Sequence, residues 1–256
     1  MSKNNNLILK NNPFDMIVKT KGIILHQIKY TDSGIVVQTY TREYGRLSFL
    51  VKGLRNKKSG KHASLFQSLF IHDMVFYYKP SRSMQVLKEF SVSYSPSDIY
   101  MNIKKSCIAV FLGEVMNSIL REESPHPQLY DFIDSSIRYF DACSTGYANF
   151  HIAFLIGLTS YLGFEPGKRI DPENCYFDML NGTFVSIPPL HSDCADPEIS
   201  DILSAFFNTS YELMDSIRLS GELRNKVLDT IIRYYSVHLP GLKKINSLDI
   251  MKEIFR

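Results

Sequence analysis

The sequence predicts an α+β protein in two parts, a small N-terminal β-barrel followed by an α-helical domain. Three observations predict it. Apolar residues alternate with a period of two from Ile17 to about Tyr94, the spacing of half-buried strands. After Ser95-Pro96-Ser97-Asp98 the apolar residues recur at helical spacing instead. Charge divides at the same place. Met1 to Ser95 holds fifteen Lys and Arg against five Asp and Glu, a net of +10, and the remainder holds fourteen against twenty-one, a net of −7. The whole-chain value of +3 hides this asymmetry, which points to an electrostatic role for the first part and a different role for the second.

Taken in order, Met1 to Asp15 is rich in Asn, with the short apolar patch Leu7-Ile8-Leu9. It lacks the apolar core and small-residue cleavage site of a signal peptide, so residues 1–15 read as a flexible leader and Met16 as an alternative start. Residues 16–95 read as about five strands. Gly22 to Ile28 and Gly34 to Thr41 are β-branched runs, separated by the turn-forming Lys29 to Ser33. In Gly45 to Lys52, Leu47, Phe49 and Val51 face one way while Arg46, Ser48 and Lys52 face the other. Met74 to Lys79 and Gln85 to Val92 follow, joined through Pro80 to Ser83, with one short helix expected near Ala63 to Phe70. Five short strands with glycine corners suit a closed barrel of the oligonucleotide-binding (OB-fold) type; a barrel of SH3 type fits the pattern nearly as well.

Residues 96–256 read as the helical domain. Ser95 is expected to cap a helix with Pro96 at its first position, running to about Glu123 with Ile108, Leu112, Val115 and Ile119 in one stripe. Further helices are expected over about Pro127 to Ala142, over Tyr147 to Leu162 with a stop at Gly163, and from Leu223 to Leu239 with a stop at Pro240-Gly241. Residues 168–194 interrupt this pattern as an inserted hairpin around Asn181-Gly182. Cys175, His191 and Cys194 are the conceivable zinc ligands there. Structural zinc sites carry two tightly spaced pairs, whereas only His191 and Cys194 are close in this chain, so buried thiols are the expectation and no metal or other cofactor is assigned.

Catalytic signatures are lacking. Six residues separate Gly53 from Gly60 where a P-loop needs four, and His62 stands in place of its Ser or Thr. No GxSxG or HExxH occurs. The four scattered cysteines form no CxxC pair, which fits a reducing, cytoplasmic setting. No segment is apolar over a length that would span a bilayer, so no membrane role is expected.

The most informative stretch lies between Glu43 and Asp73, which contains no acidic residue. It holds Arg46, Lys52, Arg55, Lys57, Lys58 and Lys61, four of them in the Gly- and Ser-containing segment 53–61. A strand delivering a mobile basic loop suits a polyanion, above all a nucleic-acid backbone. These six residues are the expected DNA-binding set. Tyr40, Tyr44, Phe49, Tyr77 and Tyr78 are the candidates for stacking on bases.

Thr20 to Leu25, Tyr30 to Gly34, Tyr40 to Arg46 and Phe49 to Arg55 occur in an order that resembles the bacterial recombination mediator family RecO. Tyr161 to Pro166 is similar to the segment preceding that family's zinc knuckle. The resemblance implies an OB-fold DNA-binding domain and a helical domain with an inserted segment that binds zinc in many members. It implies a non-enzymatic role in DNA repair: binding single- and double-stranded DNA, annealing complementary strands and helping to load the RecA recombinase at gaps. It implies two protein partners, a RecR-type recombination protein and the C-terminal tail of single-stranded DNA-binding protein, and a cytoplasmic, nucleoid-associated location. No CxxC follows Pro166 here, so the knuckle is degenerate and a packed hairpin of Tyr176, Phe177, Phe184 and Val185 is expected in its place. An OB-fold RNA-binding protein and a metal-dependent hydrolase are the alternatives.

Overall fold

The computed structural model describes residues 16–32, 34–52, 63–122, 124–169 and 175–255. Its first five strands are β1 (Met16–Thr31), β2 (Gly34–Thr41), β3 (Gly45–Lys52), β4 (Ile71–Tyr78) and β5 (Gln85–Tyr94). They close into a barrel in the order β1-β2-β3-β5-β4. β1 is long because it serves two partners. Met16 to Ile23 pair with β4, and Gly22 to Thr31 pair with β2. The barrel closes through a short parallel contact, Phe49 opposite Gln85 and Leu50 opposite Val86. This is the five-stranded Greek-key arrangement of the OB-fold, and it decides against an SH3-type barrel.

Alternation along the strands fills the interior in two layers. Ile24, Ile35, Val37, Val51, Phe66 and Phe70 form one, and Val18, Leu47, Phe49, Met74 and Phe76 the other. The pattern fails at Gly22 to Leu25, where four successive residues are buried. Ile24 points into the barrel, while Ile23 and Leu25 belong to the core of the helical domain together with Tyr40, Leu69 and Ile71. One wall of the barrel is therefore buried on both faces and shares a core with the helices.

The second part contains α1 (Ser97–Met101), α2 (Ile103–Ile119), α3 (Pro127–Ala142), α4 (Phe150–Leu162), α5 (Pro197–Phe207), α6 (Gly221–His238) and α7 (Ser247–Ile254). The expected first helix is divided in two. Asn102 is extended, and its side chain accepts from the amides of Lys104 and Lys105, capping α2. The expected serine cap is also corrected: Pro96 occupies the cap position and makes no side-chain bond. Asp141 from α3 supplies the acceptor instead, taking the Ile99 amide at 2.9 Å.

α2 crosses the barrel at Gly113. A methyl group there would lie 2.8 Å from the carbonyl oxygen of Leu25 and from Ser68, closer than packed atoms approach, so the crossing requires glycine. The inserted segment forms β6 (Tyr176–Asp178) and β7 (Thr183–Val185), with Gly182 in the left-handed region at φ 62°. An unforeseen third strand, β8 (Cys194–Ala195), pairs with β6 on its other edge.

Candidate nucleic-acid interface

The outward face of β3 carries Arg46, Ser48, Leu50 and Lys52, because Leu47, Phe49 and Val51 face inward. Lys52 is exposed and is the last described residue of the strand. Arg55, Lys57, Lys58 and Lys61 lie outside the described residues.

Arg46 has a different setting from Lys52. Its guanidinium donates to the carbonyl oxygens of Asn117 and Leu120, to Asn117 Oδ1 at 2.9 Å and to Gln38 Oε1 at 3.3 Å. The C-terminal carbonyls of a helix have no partners within it, and Arg46 occupies two of those at the end of α2. Its side chain fastens barrel to helix, and its acceptors are all uncharged. Burial, and then the nearby Arg121, lower its pKa from 12.5.

The aromatic candidates divide by burial. Phe49 is 0% and Tyr40 3% exposed, so both are core residues and neither is a stacking platform. Tyr44 and Tyr78 are half-buried neighbours, with ring centroids 4.8 Å apart. Tyr77 is half-buried and lies 5.9 Å from Lys88 Nζ. These three tyrosines keep a surface that a base could meet.

In the inserted segment, the described residues do not fit a zinc site. Among the described residues no three of His, Cys, Asp and Glu stand together as a ligand set. Cys175 is buried, and His191 Nε2 lies 3.3 Å from Asp178 Oδ1. Asp178 organises the turn: its carboxylate accepts from the amides of Leu180 at 2.9 Å and Asn181 at 3.2 Å, and from Asn181 Nδ2 at 2.7 Å. Burial raises its pKa, but these bonds and His191 outweigh that and hold it below 3.8. Phe177 packs against Phe184, Phe207 and Tyr234. Hydrogen bonding and aromatic packing hold this small sheet.

A cavity of about 350 Å³ opens in the helical domain between Phe132, Ile156 and Phe207, with exposed Lys168 on its rim. The cavity walls come from three separate stretches of chain, so no local pattern could reveal it. No helix of the described residues is long and apolar enough to cross a membrane.

Fold and surface together define an OB-barrel protein with a basic strand face, closed on one side by a helical domain. Comparison with known families agrees across nearly the whole chain. Residues 16–96 match the family model "Recombination protein O N terminal" and residues 101–248 match "Recombination protein O C terminal". The chain is 38% identical over 240 residues to the DNA repair protein RecO of Phocaeicola vulgatus, covering 94% of this chain and 100% of that protein. It is 38% identical over 242 residues to that of Bacteroides fragilis and 32% over 240 to that of Azobacteroides pseudotrichonymphae, each covering 94% of this chain and 100% of the relative. The chain belongs to the RecO family.

Proposed function

We propose that this protein is a recombination mediator in DNA repair that works by binding and carries out no covalent chemistry. The observation that carries the reading is family membership over residues 16–248 joined to an OB-barrel whose β3 leads into the acid-free basic segment. DNA is held by phosphate contacts from Lys52, Arg55, Lys57, Lys58 and Lys61, with Arg46 adding charge from the domain junction. Tyr44, Tyr77 and Tyr78 add stacking. Such binding is strongly salt-dependent and weakly sequence-specific. Neutralising phosphates on single strands and duplexes alike lets the protein bring complementary strands together for annealing.

The helical domain engages protein partners, a RecR-type recombination protein and the C-terminal tail of single-stranded DNA-binding protein. The cavity, with Phe132, Ile156 and Phe207 in its walls and Lys168 beside Glu165 and Glu212 at its edge, is the place on this domain for such a tail. Loading of recombinase at gaps, in the cytoplasm and at the nucleoid, is the role this combination serves.

The test is fluorescence anisotropy with a labelled single-stranded oligonucleotide over a salt series, joined to an annealing assay with the complementary strand. Binding that weakens steeply with salt, accelerated annealing and intact recovered strands are expected. Preference for a structured RNA competitor, or cleavage of the labelled strand, would overturn the proposal. Pull-down with single-stranded DNA-binding protein, with and without its acidic tail, tests the partner.

A further inference from the structure

A groove of about 490 Å³ runs between the barrel and the helical domain, and its cations come from both. Arg46 and Arg82 line it from the barrel, and Arg121, Lys243 and Lys244 from the helical side. Arg82 projects from the turn between β4 and β5. That turn is fixed by Gln85, a buried side chain that accepts from the Lys79 amide at 3.0 Å and donates to the carbonyls of Lys79 at 3.0 Å and Arg82 at 3.1 Å. Lys243 and Lys244 follow Pro240-Gly241, and the Lys243 amide donates to Ser118 Oγ at 3.0 Å, which docks the segment against α2.

None of these five cations pairs with a carboxylate among the described residues. Arg46 spends its donors on uncharged acceptors, and Arg121 donates to the carbonyls of Ser118 and Gly241. Among the described residues Glu114 is the one carboxylate lining the groove, and it is already engaged. Its two oxygens accept from the amides of Asn246 at 2.8 Å and Ser247 at 2.9 Å, from Asn246 Nδ2 at 3.1 Å and from Ser247 Oγ at 2.6 Å. It therefore serves as the cap of α7, whose N-terminus offsets its charge. The C-terminus of α2 contributes about half a negative charge where Arg46 and Arg121 meet it. Five cations remain against one engaged carboxylate and that half charge. Arg121 lies near enough to Arg46 to disfavour its charge. An anion entering the groove relieves this repulsion.

We propose that the groove holds the phosphate backbone of a single nucleic-acid strand where it passes from the barrel onto the helical domain. The inference rests on the nucleic-acid-binding function proposed above and locates a second stretch of its path. The occupant is a single strand because a volume of 490 Å³ accommodates a nucleotide or two, while a duplex, with a major groove alone about 12 Å wide, would touch only the rim. The occupant is a nucleic acid rather than an acidic peptide because the groove begins on β3, the strand that leads into the basic segment. One polyanion can neutralise both. Arg46 and Lys52 stand six positions apart on β3, about 20 Å of strand.

The experiment compares the wild-type chain with the triple variant R82A/K243A/K244A. These side chains are exposed and make no hydrogen bond or ion pair among the described residues, so the thermal transition should be unchanged; circular dichroism checks this. Loss of three phosphate contacts should make the log K against log salt slope for single-stranded DNA shallower by up to about 2.1, at about 0.7 per phosphate. Binding to a duplex of the same length should change by less than half as much. The charge reversal R82E/K243E/K244E should weaken single-strand binding further. A triple variant with wild-type affinity and slope, on a wild-type protein that does bind DNA, would overturn the groove while leaving the proposed function intact. So would a loss confined to duplex, or a loss of poly-glutamate binding with DNA binding unchanged. A wild-type protein that binds no DNA would overturn the proposed function and the groove with it.

Discussion

Arg46 and Asn117 join the two halves of the molecule: the guanidinium of one meets both the carbonyl and the side-chain oxygen of the other, the latter at 2.9 Å. The residue that reads in the sequence as one more outward cation on a strand is the C-terminal cap of a helix beginning 57 positions later. Replacing Arg46 with alanine leaves two helix carbonyls without their charged donor. A loss of about 1.5–3 kcal/mol is expected, measured by urea unfolding. Lysine should recover only part, because a point-like ammonium cannot reach acceptors on three residues. An R46A protein as stable as wild type would remove Arg46 from this structural role.

Gly113 is where a helix meets the backbone of a strand, at the Leu25 carbonyl. Alanine is the better helix former by about 1 kcal/mol, so propensity alone predicts that G113A stabilises. The 2.8 Å approach to Leu25 and Ser68 predicts the reverse, a net destabilisation of about 1–3 kcal/mol from overpacking. The sign of the shift in melting temperature decides between them.

Two buried histidines make stability depend on pH. Burial pushes His72 from 6.5 to about 4, and burial followed by Arg224 pushes His151 from 6.5 to about 3. Both are neutral in the folded chain, while the unfolded chain takes up protons as pH falls through 6.5. Their contribution is therefore full above pH 6.5 and is lost as pH falls toward 4 and 3. Each adds a slope of about 1.4 kcal/mol per pH unit within its window. Urea midpoints measured from pH 7 to 5 should fall steadily, and H151F should flatten the fall. A stability flat over this range would contradict the burial of both rings.

The inserted sheet should be indifferent to metal. Incubation with a chelator is expected to leave the melting temperature unchanged, and elemental analysis to find far less than one zinc per chain. D178A should lower the melting temperature instead, because it removes the acceptor for two turn amides and leaves them unpaired, at a cost of about 1–3 kcal/mol. Stoichiometric zinc would reverse this reading.

Alanine at Arg55, Lys57, Lys58 and Lys61 together tests the basic segment. If all four contact single-stranded DNA, the salt slope should become shallower by up to about 2.8, with helical-domain partners still bound. An unchanged slope would shift binding onto Lys19, Lys21 and the groove.

Local signals carried a large part of this architecture. Gly34 and Gly45 begin β2 and β3 where the glycine corners predict them, and α3 spans Pro127–Ala142 as its own periodicity requires, because turn chemistry and amphipathic spacing act between near neighbours. The acid-free basic stretch and the ordered family-like segments were equally legible. Other features depended on residues distant in the chain. β1 reads as a shorter strand because its first residues acquire a partner only when β4 arrives. α7 has no cap of its own and takes one from Glu114, and Lys243 docks on Ser118 of the same helix. The groove brings Arg46, Arg82, Arg121 and Lys243-Lys244 together from four places in the chain, none of which is unusual by itself. Charge and alternation along the chain determined that one half is basic and built of strands and the other helical. Which cations face a common groove, and which, like Arg46, also fasten a helix end, was decided only by packing, because hydrogen-bond acceptors and neighbouring charges are set by distance in space.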